Sequence, residues 1–123
     1  MDDDLAFALQ LADLADSISL ARFRAADLQV ETKPDLTPVS DADRAVEEAL
    51  RIAIGAGRPG EAVLGEELGV GAGDEAALWV LDPIDGTRNF VRGIPIWATL
   101  IALERDGELA VSVASAPALG HRW

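Results

Sequence analysis

The sequence predicts a layered α/β fold, in which two N-terminal helices pack against a mainly antiparallel sheet. Three observations predict this fold. Apolar residues recur at spacings of three and four in the first half of the chain, as on one face of a helix. After residue 60 the pattern changes to short apolar runs between glycine-rich stretches, which is typical of strands. Asp106–Gly107, between the last two runs, is a strong hairpin signal. The 123 residues suffice for one domain.

The first predicted helix begins in the acidic stretch Asp2–Asp4 and fades near Leu28. Carboxylates in a first turn are favoured by the positive end of the helix dipole. The apolar face is predicted to consist of Phe7, Leu11, Leu14, Ile18, Ala21 and Ala25. The next stretch, Glu31–Pro38, holds two prolines, so we expect an extended loop there.

The second predicted helix begins at Ser40, where Asp43 three residues later forms a capping pattern. Its buried stripe is predicted to consist of Ala42, Val46, Ala49 and Ala53, flanked by Leu50 and Ile54. The glycines and the proline between residues 55 and 60 are expected to end it.

The second half of the chain contains four predicted strands. They are Ala62–Leu64, Ala77–Leu81, Ile96–Leu103 and Leu109–Ala114. The first of them runs into Gly65-Glu66-Glu67, and the second ends abruptly in the acidic segment Asp82–Thr87. Polar side chains that follow two strands in this way are candidates for a functional site.

The charge balance narrows the classes of partner. Asp and Glu number 22 against 10 for Lys and Arg, a formal net charge of -12. We therefore expect no nucleic-acid partner and no membrane partner, whereas metal cations suit such a chain. There is no cysteine, which excludes thiolate nucleophiles and sulfur-ligated metal sites. The acidic N-terminus has the wrong sign for a secretory signal, so a cytoplasmic location is expected.

The segment Asp82-Pro83-Ile84-Asp85-Gly86-Thr87 carries the clearest indication of chemistry. Two carboxylates on a stiff, proline-containing turn can converge on one point, and burying both requires a counter-charge. Mg²⁺ prefers carboxylates, carbonyls and water as ligands. Gly86 and Thr87 offer backbone N–H groups just before a short run that, if helical, begins with an anion site. Adjacent metal and anion sites indicate phosphate chemistry.

Each of these features also has a simpler interpretation. Asp82 and Asp85 are compatible with caps of a turn, and Gly65-Glu66-Glu67 with an exposed loop. Asp43 and Thr87 are each compatible with a helix cap. Taken one at a time, these residues leave both interpretations open.

Three other motifs are excluded by single residues. A calcium loop needs oxygen ligands at alternate positions and a glutamate at the twelfth, where Ile84 and Gly93 stand. A dehalogenase-type phosphatase needs its second aspartate at the position of Ile84. A P-loop needs a glycine-rich run before its lysine, and the sole lysine, Lys33, follows none.

Taken together, the motifs resemble the inositol monophosphatase superfamily of Mg²⁺-dependent, lithium-sensitive phosphatases. The resemblance lies in Val39–Asp43, Val63–Glu67 and Trp79–Phe90, in this order and at these spacings. Within the superfamily the chain is most similar to the histidinol-phosphate phosphatase branch of actinobacteria. That similarity lies in Thr32–Val39, Asn89–Ala98 and Ser115–Leu119.

The resemblance implies a metal role for four residues. Glu66 would ligate the first metal and help hold the attacking water, and Asp82 would bridge two metals. The backbone carbonyl of Ile84 would complete the shell of the first metal, and Asp85 would ligate the second. Two or three Mg²⁺ ions are the implied cofactor.

The resemblance also implies how water and substrate are held. Thr87 and Asp43 would hydrogen-bond to each other and orient or deprotonate the nucleophilic water. The backbone amides of Gly86 and Thr87 would hold the substrate phosphate. Lys33, near the substrate, and Glu67, beside the metal ligands, are further candidates.

The implied activity is that of a Mg²⁺-dependent phosphomonoester hydrolase with a metal-activated water as nucleophile. Its first-choice substrate is L-histidinol phosphate, converted to L-histidinol in histidine biosynthesis, and its partner is thus a small phosphate monoester. Two alternatives stay open. One is an inositol-1-phosphate phosphatase, and the other is a non-catalytic metal-binding or dimerisation module.

The family pattern continues beyond the last residue of this sequence. It contains a further aspartate ligand in a Trp-Asp context, and no such pair occurs here. Residues 1–123 are therefore expected to form the N-terminal α+β part of an inositol-monophosphatase-like domain without its C-terminal part, with a homodimer expected at full length. Exposed apolar surface is expected around Trp97, Val111 and Val113, and His121 has no expected role.

Overall fold

The computed structural model describes residues 2–123. Its helices are α1 (Asp3–Arg22), α2 (Asp41–Gly57) and α3 (Thr87–Val91). The first five strands are β1 (Val30–Thr32), β2 (Pro38–Ser40), β3 (Glu61–Gly65), β4 (Gly69–Val70) and β5 (Asp74–Asp85). The last three are β6 (Ala98–Arg105), β7 (Glu108–Ala116) and β8 (His121–Arg122).

Six strands form the main sheet in the order β4-β3-β5-β6-β7-β8. Strands β3 and β5 are parallel, and every other neighbouring pair is antiparallel. The long helices α1 and α2 pack against each other and against strands β3, β5, β6 and β7. This arrangement confirms the predicted layered α/β fold with a mainly antiparallel sheet.

Helix α1 ends earlier than predicted. Phe23 already has an extended backbone (ψ 123°) and Arg24 a positive φ of 61°, so Arg22 is the last helical residue. The Phe23 ring instead packs against Phe90 and Trp97, with ring centroids 5.4 Å apart in both pairs. The buried side chains of α1 are mostly small: Ala8, Leu11, Ala12, Ala15 and Ser19. Of the other predicted face residues, Phe7, Leu14 and Ile18 are half-buried, Ala21 is exposed and Ala25 lies beyond the helix.

Helix α2 begins as predicted, with Ser40 as its N-cap. The Ser40 hydroxyl accepts the Asp43 N–H at 3.4 Å, and the Asp43 carboxylate accepts the Ser40 N–H at 2.8 Å, which completes a capping box. The helix continues through Gly55 to Gly57. Its buried residues are Ala42, Asp43, Val46, Glu47, Leu50 and Ile54, whereas Ala49 and Ala53 are only half-buried.

The loop predicted at Glu31–Pro38 is confirmed for residues 33–37 and wrong at its two ends, where β1 and β2 pair as a two-stranded hairpin. Val30 pairs with Ser40 and Thr32 with Pro38. Pro38 is tolerated because it is the first residue of its strand in a hairpin separate from the main sheet. At the hairpin turn, the Lys33 N–H donates to the Thr37 carbonyl at 2.8 Å.

Strand β5 is longer than the predicted run of residues 77–81, so residues 82–85 of the acidic segment form the end of the strand instead of a turn after it, and Gly86 and Thr87 lead into α3. The predicted hairpin between β6 and β7 is confirmed. Asp106 has φ 52° and Gly107 has φ 81°, as a tight turn with two positive φ angles requires.

The expected exposure around Trp97 and Val113 is wrong. Trp97 is 3% exposed because it packs with Phe90 in a second small core, and Val113 is 4% exposed in the main core. Val111 is half-buried. Within residues 2–123, no helix combines the length and the hydropathy needed to cross a bilayer.

Candidate functional site

Strands β3 and β5 bring two of the predicted carboxylates together. Gly65 pairs with Leu81 in the parallel register, and the Glu66 N–H donates to the Leu81 carbonyl at 3.3 Å. Because parallel strands end at the same edge of a sheet, Glu66 after β3 lies beside Asp82 near the end of β5. The edge of the sheet therefore carries two acidic side chains from segments distant in sequence.

A β-bulge turns Asp82 and Asp85 toward the same pocket. Asp82 pairs with Leu100 and Asp85 with Ala98, so β5 holds one residue more than β6 between these pairs. In a regular strand, residues three apart face opposite sides, and the extra residue restores a common side. The buried Thr99 hydroxyl donates to the carbonyl of Pro83 within the bulge at 2.8 Å.

One pocket of about 320 Å³ gathers most of the predicted site residues. Its lining includes Lys33, Glu66, Asp82, Ile84, Asp85, Gly86 and Thr87, together with Asp35, Thr37, Pro38 and Arg88. The two other predicted residues each contact a lining residue. Asp43 is buried and bonded to Thr87, and the Glu67 carboxylate lies 3.6 Å from the Lys33 ammonium.

A larger cavity of about 430 Å³ shares Asp82 with this pocket, but its lining is mainly apolar. It is lined mainly by apolar side chains of β5, β6 and β7 and by Trp123. It lacks the convergent polar groups that bind a phosphate, so the smaller pocket is the candidate site.

Asp82 is the most perturbed group in the pocket. Its Oδ1 atom is buried and has no hydrogen-bond partner among residues 2–123. Burial, followed by the neighbouring carboxyls of Glu66, Asp85 and Asp43, raises the pKa of Asp82 to about 8. A nearby cation would offset the repulsion between these carboxylates and would give Asp82 Oδ1 the partner that it lacks.

The chemistry of the donors fits a hard divalent cation. The pocket offers the carboxylates of Glu66, Asp82 and Asp85 and the carbonyl of Ile84, the oxygen ligands that Mg²⁺ prefers. The partnerless oxygen of Asp82 is the observation that favours this fit. Within the part of the chain that the structure describes, no three His, Asp or Glu side chains already stand together as a metal cage.

Thr87 and Asp43 form the hydrogen bond that the resemblance implied. The Thr87 hydroxyl lies 2.9 Å from Asp43 Oδ1 and 3.0 Å from the Ile84 carbonyl. It has one proton to donate, and the carboxylate is the stronger acceptor, so the Ile84 carbonyl keeps a free lone pair. The other Asp43 oxygen accepts the Ser40 N–H and hydroxyl at 2.8 and 2.6 Å. Asp43 is thus both a helix cap and a partner of Thr87.

Gly86 allows the chain to turn from β5 into α3. Its φ of 92° lies in the left-handed region, and a Cβ atom there would approach the Ile96 carbonyl to 3.1 Å. Gly86 is the N-cap of α3, so the alternative of Thr87 as the cap is wrong. Phe90 of α3 is fully buried and anchors the short helix beneath the pocket.

Sequence reasoning missed Glu47, which is fully buried on α2. Its carboxylate accepts the backbone N–H groups of Glu67 and Leu68, each at 2.8 Å. The available signal was an acidic residue one helical turn after Asp43, between the apolar stripe residues Val46 and Leu50. His121 is exposed and stacks on Trp123, with no contact to the site.

A helix pair on a mixed sheet, with carboxylates gathered at the shared edge of two parallel strands, defines a class of layered α/β proteins. The chain belongs to the inositol monophosphatase family, whose family model matches residues 1–123. This membership confirms the resemblance on which the site residues were predicted.

Curated relatives and a solved structure agree with this membership. The chain is 59% identical to the histidinol-phosphatase of Mycobacterium tuberculosis, with 98% of this chain and 46% of the relative covered. It is 56% identical to the histidinol-phosphatase of Streptomyces coelicolor, over 98% of this chain and 47% of the relative. The solved structure of the extragenic suppressor protein suhB from Bartonella henselae matches with a TM-score of 0.92 and 31% identity. The match covers 98% of this chain and 48% of the suhB chain. The chain spans about half the length of the curated relatives it matches.

Proposed function

We propose that the protein is a Mg²⁺-dependent phosphomonoester hydrolase that acts on histidinol phosphate. The observation that carries the proposal is the convergence of Glu66, Asp82 and Asp85 with the Thr87–Asp43 pair around one pocket. The substrate is supported by the identity of 59% to a histidinol-phosphatase. Family membership supports the wider class of phosphate monoesters.

Glu66, Asp82, Asp85 and the Ile84 carbonyl are the groups that would hold two or three Mg²⁺ ions. When bound, Mg²⁺ supplies positive charge for the phosphate oxygens and the leaving group, and it lowers the pKa of water. The partnerless Asp82 oxygen and the raised pKa of its carboxyl support this assignment.

The Thr87–Asp43 pair orients the attacking water. The Thr87 hydroxyl donates a hydrogen bond to Asp43, so its oxygen is free to accept a hydrogen bond from a water in the pocket. This contact directs the water oxygen at phosphorus. Asp43 is 1% exposed and held from its other side by Ser40, which fixes the direction of the Thr87 hydroxyl. The carboxylate also offers a proton acceptor one hydroxyl away from the water.

The backbone amides of Gly86 and Thr87 would hold the substrate phosphate at the start of α3. Lys33 and Arg88 line the same pocket and bring positive charge toward an anionic substrate. In the reaction, water adds to phosphorus, the phosphorus–oxygen bond to the alcohol breaks, and the proton lost by water is taken up by the alcohol oxygen. The products are inorganic phosphate and the free alcohol, with no covalent enzyme intermediate.

Phosphate release by the full-length protein from histidinol phosphate and from myo-inositol 1-phosphate, with Mg²⁺ and with chelator, tests the proposal. We expect turnover that chelator abolishes, with kcat/KM higher for histidinol phosphate by about tenfold or more, or about 1.4 kcal/mol. Asp82→Asn should lower kcat by about 10³-fold, because it removes the central acidic ligand. Asp74→Asn, at the exposed start of the same strand, is the matched control and should leave kcat unchanged.

The outcomes separate the alternatives. Full turnover in chelator would contradict the metal assignment. A preference for myo-inositol 1-phosphate would reassign the substrate and leave the metal ligands in place. Mg²⁺ binding without turnover of either ester would favour the non-catalytic module.

A further inference from the structure

We infer that Glu47 is a positioning residue that fixes Glu66 by clamping the turn between β3 and β4. The inference rests on the proposed role of Glu66 as a metal ligand. It adds a residue of α2, outside the pocket lining, to the groups on which Mg²⁺ affinity depends.

The Glu47 carboxylate uses both oxygens on consecutive amides of the turn. Oε1 accepts the Glu67 N–H and Oε2 accepts the Leu68 N–H, each at 2.8 Å. The side chain is 0% exposed, so these are charge-assisted hydrogen bonds in a low-dielectric environment. Two such bonds restrict the backbone of the residues immediately after Glu66.

Arg51, one helical turn after Glu47, compensates the buried charge and extends the clamp. Its Nε atom lies 3.1 Å from Glu47 Oε2, and its Nη2 atom donates to the Gly69 carbonyl. The Glu47 carboxyl group lies so close to the backbone of Gly65 that a Cβ atom at this position would overlap it. The residues before and after Glu66 are therefore both fitted to Glu47.

Glu66 itself is exposed, so its direction depends on its backbone and not on packing of its side chain. Its N–H is held by the Leu81 carbonyl at 3.3 Å, and the next two amides are held by Glu47. The base of the Glu66 side chain is thereby fixed beside Asp82. Groups that orient a metal ligand in this way commonly control metal affinity, because the ligand needs no ordering on binding.

The test compares Glu47→Gln with the wild-type protein. Glutamine keeps the size of the side chain but has only one acceptor oxygen, so one amide of the turn loses its partner. We expect faster hydrogen exchange at the Glu67 and Leu68 amides. We also expect Mg²⁺ affinity, measured by calorimetry and by the Mg²⁺-induced rise in Tm, to fall by roughly tenfold. The kcat at saturating Mg²⁺ should stay near the wild-type value.

Three controls separate positioning from a general loss of stability. Glu48→Gln removes the adjacent, exposed carboxylate and should leave Mg²⁺ affinity unchanged. Leu50→Ala opens the core beneath the same helix and should lower Tm without changing Mg²⁺ affinity. In the Glu66→Gln background, Glu47→Gln should weaken Mg²⁺ binding no further, because Glu47 acts through Glu66.

The inference would be overturned if Glu47→Gln bound Mg²⁺ with wild-type affinity. It would also be overturned if Leu50→Ala lost as much Mg²⁺ affinity as Glu47→Gln. If Glu47→Gln does not fold, Gly65→Ala disturbs the same contact from the side of the turn and carries the same expectations. A wild-type protein that binds Mg²⁺ but releases no phosphate would contradict the proposed activity alone. A wild-type protein that binds no Mg²⁺ would overturn both proposals.

Discussion

Asp43 performs two structural tasks with its two carboxylate oxygens. Oδ2 closes the capping box with Ser40 at the start of α2, and Oδ1 accepts the hydroxyl of Thr87 from α3. The side chain is buried, so neither contact competes with water. A substitution of Asp43 must therefore affect both the stability of α2 and the orientation of Thr87.

Substitutions of Thr87 and Asp43 should separate these tasks. Thr87→Ala and Asp43→Asn are each expected to lower kcat by about 10²-fold, and the double variant should be little worse, because the pair acts as a unit. Asp43→Asn should also cost about 1 kcal/mol of stability as a weakened cap. Thr87→Ser keeps the hydroxyl and should retain most of kcat. Rate measurements and thermal melts of all four variants decide this, and multiplicative losses in the double variant would contradict the paired role.

Among the secondary-structure elements, β5 determines the site because of its bulge. The extra residue between Asp82 and Asp85 brings both carboxylates to one side, and the Thr99 hydroxyl of β6 holds the Pro83 carbonyl within the bulge. Thr99 is fully buried, so the Pro83 carbonyl depends on this donor. The geometry of the acidic pair is therefore set by the neighbouring strand.

Thr99→Val should disturb the bulge without changing the size of the side chain. It leaves the buried Pro83 carbonyl without a donor, at an expected cost of about 1–3 kcal/mol of stability. The Mg²⁺ concentration for half-maximal activity should rise, because Asp85 loses its fixed position. Thr99→Ser, which keeps the hydroxyl, is the control. A less stable valine variant with wild-type Mg²⁺ dependence would mean that other contacts set the bulge.

At the scale of the whole molecule, an ion-pair network joins elements that are far apart in sequence. Asp4 in the first turn of α1 lies 2.8 Å from Arg58 after α2 and 2.7 Å from Arg105 at the end of β6. The hydrogen bond from Arg105, followed by that from Arg58, holds the pKa of Asp4 well below its ordinary value of 3.8, although burial opposes the shift. The network connects both long helices to the sheet.

This lowered pKa predicts how acid affects stability. A carboxylate with a lower pKa in the folded state stabilises the fold above its unfolded pKa and loses that contribution as the pH falls through the folded value. Asp4→Asn should therefore lower the stability by about 1 kcal/mol at pH 7. The difference from wild type should narrow as the pH falls below 3.8.

Thermal melts of wild type and Asp4→Asn across this pH range measure the effect. Asp3→Asn, on the same turn but exposed and without an ion pair among residues 2–123, is the control. A constant difference between wild type and Asp4→Asn at every pH would contradict a contribution from the charge of Asp4.

Local sequence determined several features of this protein by itself. The capping box of Ser40 and Asp43 and the hairpin at Asp106–Gly107 were both predicted, because each depends on residues within one turn of the chain. The proposed acidic metal ligands Glu66, Asp82 and Asp85 were also identified from the sequence. Their types and spacings are sufficient for a family motif, and the family match over residues 1–123 agrees with it.

Contacts between distant segments decided the rest. Helix α1 ends at Arg22 because Phe23 is drawn into a core formed by Phe90 and Trp97, which lie far along the chain. The common side of the two aspartates depends on a bulge whose register only the partner strand reveals. The role of Glu47 depends on a turn formed after the helix has ended. Periodicity and motif spacing describe neighbours along the chain, whereas burial and hydrogen-bond partners are set by tertiary packing.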